Sequence, residues 1–387
     1  MTRSIVFMIF LIGLLSCNSD TSNITFDGKE RLEHAKTVAD FKAPTYKWGY
    51  LNKNGELAIT DAFDDLREFN EGKAAYNIGG LWGYLNKDGS IFLEARYKTV
   101  EEYSEERAVV QDLNNKNHII DENKKSIVDS LDYEKVNKYK FGRALVKDAQ
   151  RYGYIDKNGS LTIDMDYEYA TDFDDGLAIV TKNRKQGIID TKGREVIPIL
   201  YDKIWLPSSN MVRFKDKNRY GFIDFTSKEK VYSQFHSATN FQDNHAVVNN
   251  GNTYQLLQKS GTTKTLPYTL VDHGGEGKWM YALNASYGFL SNDGSVLCPA
   301  NYDLVMRFRE DRAGFAINDV WGYLDEKGEI IIPPKYPLVW DFVDGYARMI
   351  GRTGFGYIDK DGIDILPSRY MEVRDFSEGL ARIQVYR

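Results

Sequence analysis

Trp321-Gly322-Tyr323-Leu324-Asp325-Glu326-Lys327-Gly328-Glu329-Ile330-Ile331-Ile332-Pro333-Pro334-Lys335-Tyr336, followed by Phe342-Val343-Asp344-Gly345-Tyr346-Ala347, decides the fold. An aromatic-Gly-aromatic triplet opens this stretch, and the triplet recurs along the chain. It stands at Trp48-Gly49-Tyr50, Trp82-Gly83-Tyr84, Tyr152-Gly153-Tyr154, Tyr220-Gly221-Phe222, Tyr287-Gly288-Phe289 and Phe355-Gly356-Tyr357. Gln186-Gly187-Ile188 keeps only the glycine, while Asn117-His118 and Tyr254-Gln255 fill two further slots without it. Neighbouring slots are 33 to 35 residues apart, and six of the nine steps are 34. A fixed period of this length is the mark of a repeat architecture.

Other positions keep the same phase. Six residues after the anchor stand Gly55, Gly89, Gly159, Gly193, Gly261, Gly294, Gly328 and Gly362. About fourteen after it every copy has an aromatic residue, from Phe63 and Tyr97 to Tyr336 and Tyr370. About twenty after it come Phe69, Tyr103, Tyr139, Phe173, Phe241, Phe308, Phe342 and Phe376, and then an alanine such as Ala74, Ala178 or Ala347.

This unit resembles the WG-repeat family, also called KWG repeats, over nearly the whole chain after residue 47. The resemblance implies a β-rich tandem-repeat protein and no settled activity. The copies at His118 and Gln255 depart from the family by losing the glycine, and the copy at Gly187 departs by losing the aromatics.

The residues also argue for strands directly. Tyr152-Gly-Tyr-Ile-Asp156 is aromatic and β-branched, which suits a pleated, half-buried surface. Lys157-Asn158-Gly159 is a hairpin turn, because Asn-Gly accepts positive φ cheaply. Leu161-Thr-Ile163 returns, and Gly176-Leu-Ala-Ile-Val180 forms a third strand apolar enough to be buried on both faces. Pro198, Pro299, Pro333 and Pro367 are expected to end second strands, where no more donors are needed. The anchor glycine is expected to let backbone pass close to a neighbouring ring. One copy cannot bury its own rings. Each buried ring removes 150–250 Å² from water, an upper bound of about 4–6 kcal/mol, so copies must stack. The expected fold is all-β: about ten three-stranded repeats stacked as an open β-solenoid or superhelix. A closed β-propeller-like ring is the alternative, since propeller blades usually have four strands and about 40 residues.

The organisation expected is a leader at 1–16, a tether at 17–23, an N-terminal cap or partial repeat at 24–47, and the array at 48–387. Arg3, the apolar run Ile5–Leu15 and Leu14-Leu15-Ser16-Cys17 resemble a bacterial lipoprotein signal with Cys17 as the acylated residue. Eleven apolar residues are too few to span a bilayer. Asn18 rather than Asp favours the outer membrane. After Cys17 only Cys298 remains, so the core rather than disulfides must hold the fold. A formal net charge of −6 argues against a nucleic-acid partner.

A search for chemistry yields little. His34, His118, His236, His245 and His273 have no metal-pair spacing. The acidic turns Asp156–Gly159 and Asp359–Gly362 lack the length and closing glutamate of a calcium loop. Asn284-Ala-Ser286-Tyr-Gly288 falls on a repeat anchor and lacks the first glycine of a nucleophile elbow. Asp172, Asp174 and Asp175 single out no acid-base pair. His273-Gly-Gly-Glu276-Gly-Lys278 is expected to be an irregular loop. No catalytic, metal or cofactor residue is therefore assigned. The function expected is non-enzymatic recognition or scaffolding by a lipid-anchored envelope monomer that binds protein or glycan. An envelope enzyme with a site near 268–287 is the alternative. A deep pocket lined by His273, Glu276 and Lys278 would favour the enzyme.

Overall fold

The computed structural model describes residues 46–386, and the expected leader, Cys17, the tether and nearly all of the expected cap lie outside them. The described residues form forty strands and no helix. They make ten antiparallel sheets of four strands each. Nine sheets are consecutive in sequence: 65–97, 99–131, 135–167, 169–201, 203–235, 237–266, 270–302, 304–336 and 338–370. The tenth combines the two ends of the array, 372–386 with 46–63. Within it, Tyr46–Asn52 pairs with Leu380–Tyr386 at seven successive positions, from Tyr46↔Tyr386 to Asn52↔Leu380. That ladder closes the array, so the sheets are the blades of a ten-bladed ring, numbered 1 to 10 below. The open solenoid is not what forms; the closed alternative is. Two end strands that a rod would leave with unpaired N–H and C=O groups satisfy each other.

Each blade has one strand more than the sequence predicts. The extra strand follows the aromatic residue near the fourteenth position, after a link as short as Lys98 between Tyr97 and Thr99. In blades 1, 2, 4, 5, 6 and 8 it is two residues long, for example Asp65–Leu66 and Thr99–Val100, too short to show periodicity. It is the first strand of its blade, and the alanine, anchor and return segments are the second, third and fourth. The second strand is buried as expected: Ala108, Val109 and Val110 are all at 2% exposure or less.

The anchor glycine has a different neighbour from the one expected. Tyr152 pairs with Tyr167 and Tyr154 with Ile163, so two residues of the third strand face four of the fourth. The fourth strand bulges toward Gly153. A Cβ there would lie 2.6 Å from the Ile163 carbonyl oxygen and 3.1 Å from the Asp164 carbonyl carbon. The obstacle is backbone rather than a ring, and it recurs at Gly288 and Gly356. The prolines belong to the same bulge. Pro198, Pro299 and Pro333 sit inside the fourth strands Glu195–Tyr201, Val296–Tyr302 and Ile330–Tyr336, not at their ends. A fourth strand is a sheet edge, where a missing N–H costs no ladder bond. At Gln255 the pairing with residues 263–266 runs in regular register with no bulge. The copy that lost the glycine lost what required it.

Rings join successive blades. Tyr84, Tyr154, Tyr323 and Tyr357, one residue past their anchors, are fully buried. Their hydroxyls donate to the carbonyl seventeen residues on, in the next blade: Glu101, Thr171 and Trp340 at 2.6 Å and Arg374 at 2.5 Å. Tyr154 packs on Phe173 at 4.7 Å between centroids, Phe289 on Phe308 at 4.8 Å and Tyr323 on Phe342 at 4.9 Å. The hairpin glycine after the third strand serves two ends. Gly159 has φ +80°, and a Cβ there would meet Val128 of the preceding blade at 2.6 Å.

A line of carboxylates adds a third link. A two-residue turn leads into the second strand of each blade, closed by a backbone bridge such as Asn70↔Lys73 where the first strand is short. Glu71 accepts from the next turn's Glu105 and Glu106 N–H groups at 2.8 and 3.0 Å. Glu310 accepts from Asp344 and Gly345 at 2.7 and 2.9 Å. Glu105 bonds Gly142, Glu276 bonds Asp311, and Glu378 bonds Gly72. A lysine four residues past an anchor accompanies several of these carboxylates: Lys157 beside Glu105 at 3.2 Å and Lys360 beside Glu310 at 3.7 Å.

Candidate functional site

The segment 268–287 is not irregular. Leu270–Gly275 and Lys278–Leu283 are the first two strands of blade 7. His273 Nδ1 accepts from the Gly275 N–H at 3.1 Å, and burial with the nearby Arg307 charge lowers its pKa. Glu276 holds the Asp311 turn, and the Lys278 ammonium lies 4.5 Å from the Phe308 ring centre. These three side chains serve packing and blade-to-blade contacts. Ser286 opens the third strand of the same blade after a two-residue hairpin, not a strand-to-helix elbow. Cys298 is buried where other copies carry Ile59, Ile163 or Ile332, and burial pushes its thiol up to about 11. Among the described residues no three His, Cys, Asp or Glu side chains are grouped to hold a metal. The acidic turns use their carboxylates locally, as Asp156 accepts from the Asn158 and Ser160 N–H groups at 2.9 Å.

The assigned anchors Trp48, Trp82, Tyr152, Tyr220, Tyr287, Trp321 and Phe355 occupy equivalent places. Each pairs with the aromatic residue fifteen positions on, as in Trp82↔Tyr97 and Trp321↔Tyr336. Several indole faces are already covered. Arg67 lies over Trp82 at 4.6 Å and Arg382 over Trp48 at 5.7 Å. Trp205 has Arg213 at 3.9 Å and stacks on Tyr220 at 5.9 Å. Trp340 has Arg348 at 4.9 Å and Phe355 at 5.6 Å.

Blade 2 departs from this uniformity where its anchor glycine is replaced. Asn117 pairs with Leu131 and Ile119 with Val128, so the bulge shrinks to three residues facing two. His118 stands opposite it. A cavity of about 280 Å³ opens there, lined by Arg96, Tyr97, Asp112, His118, Lys124, Ser126 and Asp129. His118 Nε2 lies 3.2 Å from Asp112 Oδ2. The Asp112 carboxyl is held below its usual range, chiefly by the Lys116 backbone N–H. The site offers cations, an imidazole and carboxylates together, which suits a small polar ligand. By its spacing alone His118 is a repeat slot; the glycine missing from that slot is the signal that sets blade 2 apart.

A second concentration of charge lies along the first strands. Lys138 of blade 3 pairs with Glu102 of blade 2, and Asn137 donates to Asp172 of blade 4 at 2.9 Å. Arg348 of blade 9 meets Asp375 of blade 10 at 2.6 Å. Burial raises the Glu101 pKa against the Lys135 and Arg67 charges, and Asp172, two blades away, adds to the rise. Arg67 of blade 1, Glu101 of blade 2 and Lys135 of blade 3 line one cavity, so three successive blades meet beside their first strands. Asp341 is raised in the same way by burial, with Asp375 contributing.

The profile described as WG containing repeat matches residues 48–82, 82–116, 152–185, 187–220, 220–254, 287–321, 321–349 and 355–386. The chain belongs to this repeat family. The unmatched intervals contain the WG-repeat anchors that lost their glycine, His118 and Gln255. No curated protein matches the chain. Among solved structures it is similar to a eukaryotic initiation factor (10% identity, 70% of this chain and 87% of that one, TM-score 0.47). It is also similar to BamB from Moraxella catarrhalis (9%, 83% and 95%, TM-score 0.36) and to PorZ of Porphyromonas gingivalis (12%, 80% and 54%, TM-score 0.28). None of these similarities bears on activity.

Proposed function

We propose that this WG-repeat ring is a non-catalytic recognition or scaffold protein, anchored to the cell envelope, outer membrane first, through lipid on Cys17. The observation that carries the recognition reading is a recurring exposed aliphatic residue at the start of the fourth strand. Leu57, Ile91, Leu161, Val296 and Ile330 are 38–54% exposed at this one repeat position. An apolar row on a ring surface suits a protein partner. Glycan stacking is the weaker case, since Trp205 and Trp340 are already covered. The titratable groups near 268–287 are engaged in blade contacts, which favours binding over catalysis there.

The anchor is tested by fractionation. Cys17→Ala should move the protein from the membrane pellet to the soluble fraction; retention in the pellet contradicts a lipid anchor. The partner is tested by crosslinking in the native envelope beside a glycan array. The expected result is one protein crosslinked to the native chain and lost with Val296→Lys/Ile330→Lys. Glycan binding that survives those substitutions contradicts the proposed surface.

A further inference from the structure

The two ends of the blades differ in charge. Each third strand begins where the fourth strand beside it ends, so the turn between second and third strands shares one end of the blade with the link to the next blade. The glycine hairpins and the glutamate line lie at the other end. At the first end the turns of three successive blades, 148–151, 182–185 and 216–219, hold six cations against Asp148 and Asp216. The equivalent turns of blades 1, 6, 7 and 8, at 78–81, 249–254, 283–286 and 317–320, hold none. The basic arc belongs to a chain whose formal net charge is −6.

The arc is continuous, and carboxylates beside it are committed within it. Glu168 accepts from the Asn183 and Arg184 N–H groups at 3.1 and 3.0 Å, and lines one cavity with Lys147 and Arg151 of blade 3. Lys185 of blade 4 meets Asp202 at 2.6 Å and Asp216 of blade 5 at 3.3 Å. Arg184, Lys217 and Arg219 are exposed. Arg219 meets the His236 imidazole at 2.7 Å, and among the described residues no carboxylate bonds the side chains of these three. Two apolar side chains stand at the same end of blade 4: Leu200 is 63% exposed and Tyr169 48%. Tyr46 opens the third strand of blade 10, so the chain that carries Cys17 enters the ring at this end too.

We infer that this end of the ring, through blades 3 to 5, lies on the anionic lipid headgroups of a membrane. Unpaired cations next to a leucine and a tyrosine supply the two attractions of a surface-bound protein, charge and shallow apolar contact. The choice of a membrane over an acidic protein rests on the proposed lipid on Cys17, whose chain joins the ring on this side. The apolar row that begins with Leu57 is then at the far end of the blades, turned away from the lipid and open to a partner.

The test uses the full Cys17→Ala chain, which cannot be acylated, and vesicles of phosphatidylcholine with or without phosphatidylglycerol, read by co-sedimentation. At low salt the anionic vesicles should be bound at least about tenfold more tightly than the neutral ones, and high salt should remove the difference. Arg184→Glu/Lys217→Glu/Arg219→Glu should abolish the preference. Lys125→Glu/Lys192→Glu/Lys327→Glu makes the same charge change in exposed hairpin turns at the other end, and should keep it. No preference with the native turns overturns the inference, as does equal loss in the two triple variants. Binding to polyglutamate but not to the anionic vesicles assigns the arc to an acidic protein and overturns the membrane assignment. High salt releases a headgroup contact and leaves an acylated chain in the pellet, so the arc and the lipid anchor fail separately.

Discussion

Gly153 and Tyr154 divide one task between neighbouring residues. The glycine leaves room for the bulged backbone of the fourth strand, and the tyrosine reaches across to the next blade and donates to the Thr171 carbonyl. Gly153→Ala should cost about 1–3 kcal/mol, because the Ile163 and Asp164 main chain in the way cannot rotate aside. Tyr154→Phe keeps the ring but leaves a carbonyl without its donor, at about 1–3 kcal/mol. Chemical denaturation measures both. A loss near zero for Gly153→Ala would mean that the bulge yields. Phe222 and Phe289 stand where other copies have this tyrosine, so at those junctions no phenol hydroxyl crosses to the next blade, and the rings pack on Phe241 and Phe308, each at 4.8 Å. That glycine and aromatics alternate here was plain in the sequence. That the glycine answers to backbone was not, because a bulge is a relation between two strands and leaves no mark on the residue that accommodates it.

At the scale of the strand and hairpin, the period-34 pattern placed three strands of each blade and the Asx-type turns that join them. The fourth strand escaped because two residues such as Thr99–Val100 carry no alternation. The prolines misled for a related reason: they sit at bulges within an edge strand, where the missing N–H is harmless, and so do not punctuate. The segment 268–287 was expected to be irregular because Gly274, Gly275 and Gly277 cluster there; its strands nevertheless pair from Leu270↔Ala282 to Gly275↔Lys278. Restoring the family residue at Gln255 should not help. Gln255→Gly adds backbone freedom in a strand whose partner has no bulge, and is expected to destabilise by about 1 kcal/mol, as read by thermal unfolding. A gain in stability would show that the glycine acts without the bulge.

Across the whole molecule, ring closure brings distant charges together, and this part of the candidate site could not be read from spacing. Glu101 lines one cavity with Arg67 of blade 1 and Lys135 of blade 3, a grouping set by how the blades pack. Its pKa is raised in the folded protein, so the folded state is disfavoured at pH values above that raised pKa, and protonation relieves the cost as pH falls through it. Glu101→Gln should therefore raise the melting temperature at pH 7, with the gain shrinking as pH drops below the folded-state pKa. A lowered melting temperature at pH 7 would mean that its ion pairs outweigh burial. The choice between rod and ring was equally hidden. Both bury the same rings copy against copy, and only the pairing of Tyr46–Asn52 with Leu380–Tyr386 separates them.

That pairing is open to a single distance. Thr60 and Arg374 lie in the outer strands of the sheet built from both ends of the array. Three strand spacings separate them, about 14 Å before the length of the labels. Spin labels at Thr60→Cys and Arg374→Cys, in a Cys17→Ala/Cys298→Ala background, should give one narrow distance distribution near 15–30 Å. Ten sheets stacked about 10 Å apart in an open rod would instead hold the labels about 90 Å apart, and a distribution at that length would contradict the closed ring.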